Sequence, residues 1–183
     1  MRQSNKSIRK EETMKKIITL ASLILIFSLL AGCVPFLTKS YSESLKIEDV
    51  PMEIIRTNGY HGDASYPYIQ VIKTEDELLE YYQEKKEEYN MESDDESSFK
   101  SRMKYYSESF FENNVLAIIL IEEPSGSIRH ELGSVDNSGN SIIFTIKRII
   151  PEMGTTDMAQ WHLLISIPAA SYNDDDIDVI FSE

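Results

Sequence analysis

The chain has 183 residues, a formal net charge of −13, a single cysteine and 42% hydrophobic side chains. That is ample length for one packed domain. The acidic balance argues against nucleic acid as a partner, because phosphates demand basic patches, and a lone thiol excludes an intramolecular disulfide.

The first predicted element is a targeting segment. Ile17 to Leu30 is apolar and uncharged, and its fourteen residues rise roughly 21 Å as a helix, short of a ~30 Å hydrocarbon core. Lys15 and Lys16 precede it and small residues close it, the layout of a secretory signal peptide. Leu30-Ala31-Gly32-Cys33 resembles the lipobox of bacterial lipoproteins, which implies diacylglycerol on Cys33 and a mature chain that starts there. The expected organisation is a signal peptide at 1–32, a lipidated cysteine and flexible tether at 33–50, and one globular domain at 51–183. Met14-Lys15-Lys16 alone makes a compact positive start, so translation is expected to begin at Met14. Without residues 1–32 the chain keeps twelve basic and twenty-nine acidic side chains, a formal −17 that disfavours lying flat on an anionic bilayer.

Met52 to Asn58 and Tyr68 to Lys73 read as short strands around the turn at 58–63. Thr74-Glu75-Asp76-Glu77 has the pattern of a capping box, and Leu78, Tyr82 and Tyr89 follow on one helical face ending near Asn90. A second helix is predicted from Ser97 or Ser98, with Phe99, Met103, Tyr106 and Phe110 as its apolar stripe. Val115 to Ile121 is apolar on both parities, a strand covered on both faces. Strands follow at about 127–136, 141–149 and 161–167, with Asp136 to Asn140 as a hairpin loop and 177–181 as a short edge strand. The order predicts an α+β fold, a mainly antiparallel sheet with two helices packed on one face. A β-sandwich decorated by helices is the alternative.

Two stretches carry candidate chemistry: Glu122 to Glu131, a turn feeding a strand, and Pro151 to His162, a loop feeding the next strand but one. In a meander such strands run in the same direction, so both loops are expected at one end of the sheet. Strand parity puts Ile128, His130 and Leu132 on one face, with Arg129 and Glu131 on the other. Trp161, Leu163, Ile165 and Ile167 share the core face, which turns His162 outward, toward Arg129 or Glu131. The two histidines then occupy opposite faces, against a shared metal site or acid–base pair, and His130 reads as a hydrogen-bonded core histidine. Zincin, nucleophile-elbow, Walker and dinucleotide motifs are absent. Ser125 and Ser127 lack an adjacent base, and Asp174 to Asp178 lacks the spacing and glycine of a calcium loop. Met153, Met158 and Trp161 around Gly154-Thr155-Thr156-Asp157 suit an interaction loop, with Asp157 capping a turn.

Phe110 to Asn114, Ser125-Gly126-Ser127-Ile128-Arg129-His130-Glu131 and Thr156-Asp157-Met158-Ala159-Gln160-Trp161-His162 resemble a family of uncharacterised lipoproteins from clostridia-like Firmicutes. The similarity extends over most of 52–167, including Ile55-Arg56-Thr57-Asn58 and Tyr66-Pro67, and implies no established activity. More distantly, the strand-rich half resembles the C-terminal domain of PrcB-type protease-complex subunits, at the Gly-containing turn Pro124 to Ile128 after an apolar strand. That resemblance implies a protease-associated binding role.

The leading expectation is a non-catalytic protein-binding module, lipid-anchored on the outer face of the cell membrane and modulating an envelope protease or serving another exported protein. Ser125, Gly126, Arg129, Asp157, Trp161 and His162 form its expected contact patch, with no cofactor. The rivals are an envelope hydrolase or metal-dependent enzyme using His130, Glu131, Asp157 and His162, and a solute-binding lipoprotein.

Overall fold

The computed structural model describes residues 45–57, 64–137 and 139–183. The targeting segment, Cys33, the tether up to residue 44, the 58–63 turn and Ser138 lie outside the described residues.

Two of the strands, β3 (Asn114–Glu123) and β6 (Ala159–Pro168), are buried almost throughout. Only strands covered on both faces read this way, and these two lie at the centre of a four-stranded antiparallel sheet. β1 (Met52–Thr57) flanks β6 and β2 (Tyr68–Ile72) flanks β3, giving the order β1-β6-β3-β2. A second sheet contains β4 (Arg129–Asp136), β5 (Ser141–Ile149) and β7 (Asp176–Ser182) in the order β4-β5-β7. β4 and β5 pair antiparallel with a bulge between Leu132 and Ser134, whereas β7 joins β5 in parallel.

The predicted α+β class holds, with one refinement. The single sheet of the expectation is two sheets, and only the four-stranded one carries helices. Odd-numbered residues of β3 and β6, among them Ala117, Ile119, Trp161, Leu163 and Ile165, face the second sheet and meet Ile142, Phe144 and Ile146. Even-numbered ones, Leu116, Ile118, Leu120 and Leu164, face the helical layer and meet Leu78, Tyr81, Tyr82 and Phe99.

α1 (Glu75–Lys85) starts as predicted, with the Thr74 hydroxyl accepting from the Glu77 amide at 3.1 Å. It stops at Lys85, and the turns that follow end on Asn90 at φ 50°, a left-handed residue that closes helical turns. The second predicted helix is broken. α2 (Phe99–Arg102) is capped by the Ser98 hydroxyl, a 3₁₀ turn follows over Met103–Tyr105, and α3 (Glu108–Phe111) begins after Ser107. The break lets the Tyr106 hydroxyl donate to Glu53 at 2.9 Å while Glu75 accepts from the Glu108 amide at 2.8 Å. The apolar stripe survives the break: Phe99 and Tyr106 are buried, with Met103 and Phe110 packed against them.

The domain also starts earlier than expected. Leu45 and Val50 belong to the inter-sheet core, and a 3₁₀ turn over Ile47–Asp49 joins them. Residues 45–50, assigned to the tether from sequence, are part of the packed domain, because two apolar side chains in the right places found the open rim of the sandwich.

Candidate functional site

The connections β3–β4 and β5–β6 both cross from one sheet to the other, and both do so at the same end of the sandwich. The two candidate loops therefore meet, as predicted, though by crossover rather than as a meander. Their contact is specific. The Gly126 amide donates to the Asp157 carbonyl at 3.0 Å, the Ser125 hydroxyl lies 2.7 Å from Ser127 Oγ and 3.2 Å from Thr155 Oγ1, and the Thr155 amide donates to Ser127 Oγ at 3.0 Å.

Asp157 pairs with Arg56 at the end of β1. Its hydrogen bond from Thr155, then the Arg56 guanidinium, hold its carboxyl down at about 2. Gly126 sits flush against this pair: a Cβ there would lie 2.5 Å from Arg56 Nη2 and 2.6 Å from Asp157 Oδ2. Only a residue without a side chain fits unless the pair opens.

Trp161 lies between two cations. The Arg56 guanidinium is 5.8 Å and that of Arg129 5.6 Å from its ring, and His130 meets it edge-on at 5.7 Å. Arg129 Nη1 donates to the carbonyls of Gly126 and Ile128, and Arg129 has no carboxylate partner among the described residues. Trp161 itself is only 7% exposed, so Arg56 and Arg129 present the contact surface above it.

His162 is not in the patch. It faces away from Trp161 as parity requires, but that face is covered by helices, so the side chain is fully buried instead of approaching Arg129 or Glu131. Its Nδ1 lies 3.1 Å from the Thr57 hydroxyl, and the rings of Phe99, Tyr89 and Tyr81 surround it at 5.1, 5.6 and 5.9 Å.

His130 is the buried, hydrogen-bonded histidine expected from its parity. Its Nε2 meets Glu123 Oε1 at 2.9 Å, and Arg148 donates to the same carboxylate through Nε at 2.9 Å and Nη2 at 2.5 Å. His130 and Arg148 are direct cross-strand neighbours in one sheet and Glu123 ends a strand of the other. The trio is a polar staple between the sheets. Burial pushes the Glu123 carboxyl up, but the hydrogen bonds from Arg148 and His130 outweigh it and hold it below its ordinary value.

The set His130, Glu131, Asp157 and His162 does not converge. The histidines flank opposite faces of the four-stranded sheet, both buried, while Glu131 and Asp157 are exposed. Among the described residues no three His, Cys, Asp or Glu side chains gather as a metal site. Sequence reasoning overlooked Arg56, Glu123 and Arg148. Glu123 did carry a signal: it follows Ala117, Ile119 and Ile121 on the core-facing parity, where a carboxylate requires partners. Arg56 and Arg148 carried none, since both look like ordinary surface charges on strands.

Large hydrophobic side chains also collect at this end. Ile149, Ile150, Met153, Met158, Ile180 and Phe181 are six of the ten exposed ones among the described residues. All sit where β5 and β7 finish and β6 begins. No protein-family model, curated protein or solved structure matches the chain.

Proposed function

We propose that the chain is a non-catalytic protein-binding module, carried on the outer face of the cell membrane by lipid on Cys33, with the crossover end of the sandwich as its contact surface. The observation that carries this reading is the concentration of exposed Ile149, Ile150, Met153, Met158, Ile180 and Phe181 at that one end, beside the Arg129 guanidinium. Exposed apolar side chains scattered singly need no explanation, but a gathered set marks an interaction site. Ser125, Gly126 and Asp157 serve it by locking the two loops together, and Trp161 by supporting Arg56 and Arg129 from below.

The Leu45 amide donates at 3.2 Å to Asn137 Oδ1, in the β4–β5 turn at the opposite end of the sandwich. The length of β4 separates the two ends by roughly 24 Å. An envelope protease, or another exported protein, is the class of partner.

The test is affinity capture from envelope extracts with soluble 34–183, beside an Ile150→Ser/Met153→Ser/Met158→Ser version of unchanged melting temperature. A protein held by the first bait and lost with the second supports the reading. Identical retention by both removes it.

A further inference from the structure

The crossover end holds a cleft of about 320 Å³ between the end of β3, the entry to β2 and the end of β7. Its walls are apolar and aromatic: Tyr66, Pro67, Ile121, Pro124 and Phe181. The volume is at the small end of ligand pockets, roughly 300–1,000 Å³, and suits one or two side chains.

Charge around the cleft is unbalanced. On its floor, Arg148 and the buried Glu123 neutralise each other through two hydrogen bonds. Glu122 on the rim has only a neutral donor, Gln160 Nε2 at 2.7 Å, and no cationic partner among the described residues. Glu183 approaches Arg148 Nη1 at 4.0 Å with its side chain 77% exposed. One guanidinium thus stands among three carboxylates, in a chain whose formal charge is −13. Such a field concentrates cations, and a low-dielectric wall strengthens it locally. Tyr66 and Phe181 supply ring faces that attract an ammonium or guanidinium as well as an apolar side chain.

We propose that this cleft is the specificity pocket of the contact surface and takes a basic peptide segment, an aromatic or aliphatic side chain seated between Tyr66 and Phe181 with a lysine or arginine beside Glu122. The proposal rests on the binding reading above, but it names a different set of residues from Ile150, Met153 and Met158. It also differs from the Arg129 side of the same end, where the uncompensated charge is positive. The partner strand of chemistry that fits the cleft is cationic and amphipathic, and long-range attraction to the acidic domain raises its rate of encounter.

The experiment uses full-length protein in a non-ionic detergent and fluorescein-labelled, end-blocked peptides, followed by anisotropy at low and moderate salt. The probes are Lys-Leu-Phe-Lys, its counterpart Glu-Leu-Phe-Glu, and Lys-Gly-Gly-Lys. The expected result is saturable binding of the first, at least tenfold tighter than either of the others and weakened by salt. Phe181→Ser should weaken it about tenfold, and Glu122→Gln severalfold with a shallower salt dependence. Both positions are partly exposed, and unchanged melting curves confirm that each variant folds. Equal binding of the acidic peptide, equal binding of Lys-Gly-Gly-Lys, or indifference to both substitutions overturns the proposal. The two readings fail separately: envelope capture that depends on Ile150, Met153 and Met158 but not on Phe181 and Glu122 keeps the binding module and removes this pocket.

Discussion

His162 gives the domain a built-in sensitivity to acid. Its ring is fully buried, touches Phe99, Tyr89 and Tyr81, and leaves Nε2 without a hydrogen-bond partner among the described residues. Burial, helped by the charge of Lys85, pushes its pKa down to about 3 from an ordinary value of 6.5. A depressed folded-state value means that the unfolded chain takes the proton first as pH falls. Stability from this group is therefore complete above about pH 6.5, declines below it, and is lost as pH passes through about 3. The gap corresponds to about 5 kcal/mol at its limit and about 2 kcal/mol at pH 5, at 1.36 kcal/mol per unit. For a domain of this size that is roughly 5–10 °C of melting temperature.

Urea denaturation at pH 8 and pH 5, on the natural chain and His162→Leu, reads this directly. Leucine fills the site without a titratable group, and the Thr57 hydroxyl retains the Gln160 carbonyl at 3.5 Å as a neighbour. Lys85 and Tyr81, whose pKa values are both raised above their ordinary ones, keep one protonation state between pH 5 and 8. Glu123 and Asp157, whose carboxyls are held low, act at lower pH and equally in both chains. The natural chain should lose about 2 kcal/mol more than the variant between the two pH values. Equal losses would refute the reasoning, because a histidine that titrates freely while folded contributes no such slope.

Three further substitutions probe the contacts that build the crossover end and the layer beneath it. Gly126→Ala forces a methyl group into the Arg56–Asp157 pair and should lower stability by about 1–2 kcal/mol with faster exchange of the residue-126 amide; unchanged exchange would mean that the pair opens freely. Glu123→Leu leaves Arg148 and His130 without their acceptor and should lower stability by about 3–5 kcal/mol, while Glu123→Leu with Arg148→Met restores part of it; a double variant worse than the single would contradict the staple. Thr74→Ala removes the cap of α1 and should reduce stability by about 1 kcal/mol in thermal melts, and an unchanged melt would show that the first turn is held by tertiary contacts alone.

Parity was the most informative signal in the sequence, and its failures show what it measures. It correctly placed Trp161 on a core face, His130 in the core and His162 on the side opposite Trp161, because side chains alternate along any strand whatever its partners. It turned His162 toward solvent because it compares the two faces of one strand and says nothing of what covers them. The apolar run of β3 already implied layers on both sides, and β6, apolar on both parities from Trp161 to Ile167 apart from His162 and Ser166, carried the same message. Two sheets were anticipated only by the alternative of a helix-decorated β-sandwich, and which strands form each sheet was not legible, since pairing β5 with β7 in parallel joins segments separated by all of β6. Yet the meeting of the two loops survived this error for a topological reason. Each loop leaves one sheet and enters the other, and both do so at the same end of the sandwich, where Trp161, Glu123 and Phe181 lie. An end that must close a core with a tryptophan between two arginines, a buried carboxylate and a half-exposed phenylalanine already has the polar and apolar groups a partner needs, and that makes this end, rather than either sheet face, the surface to test.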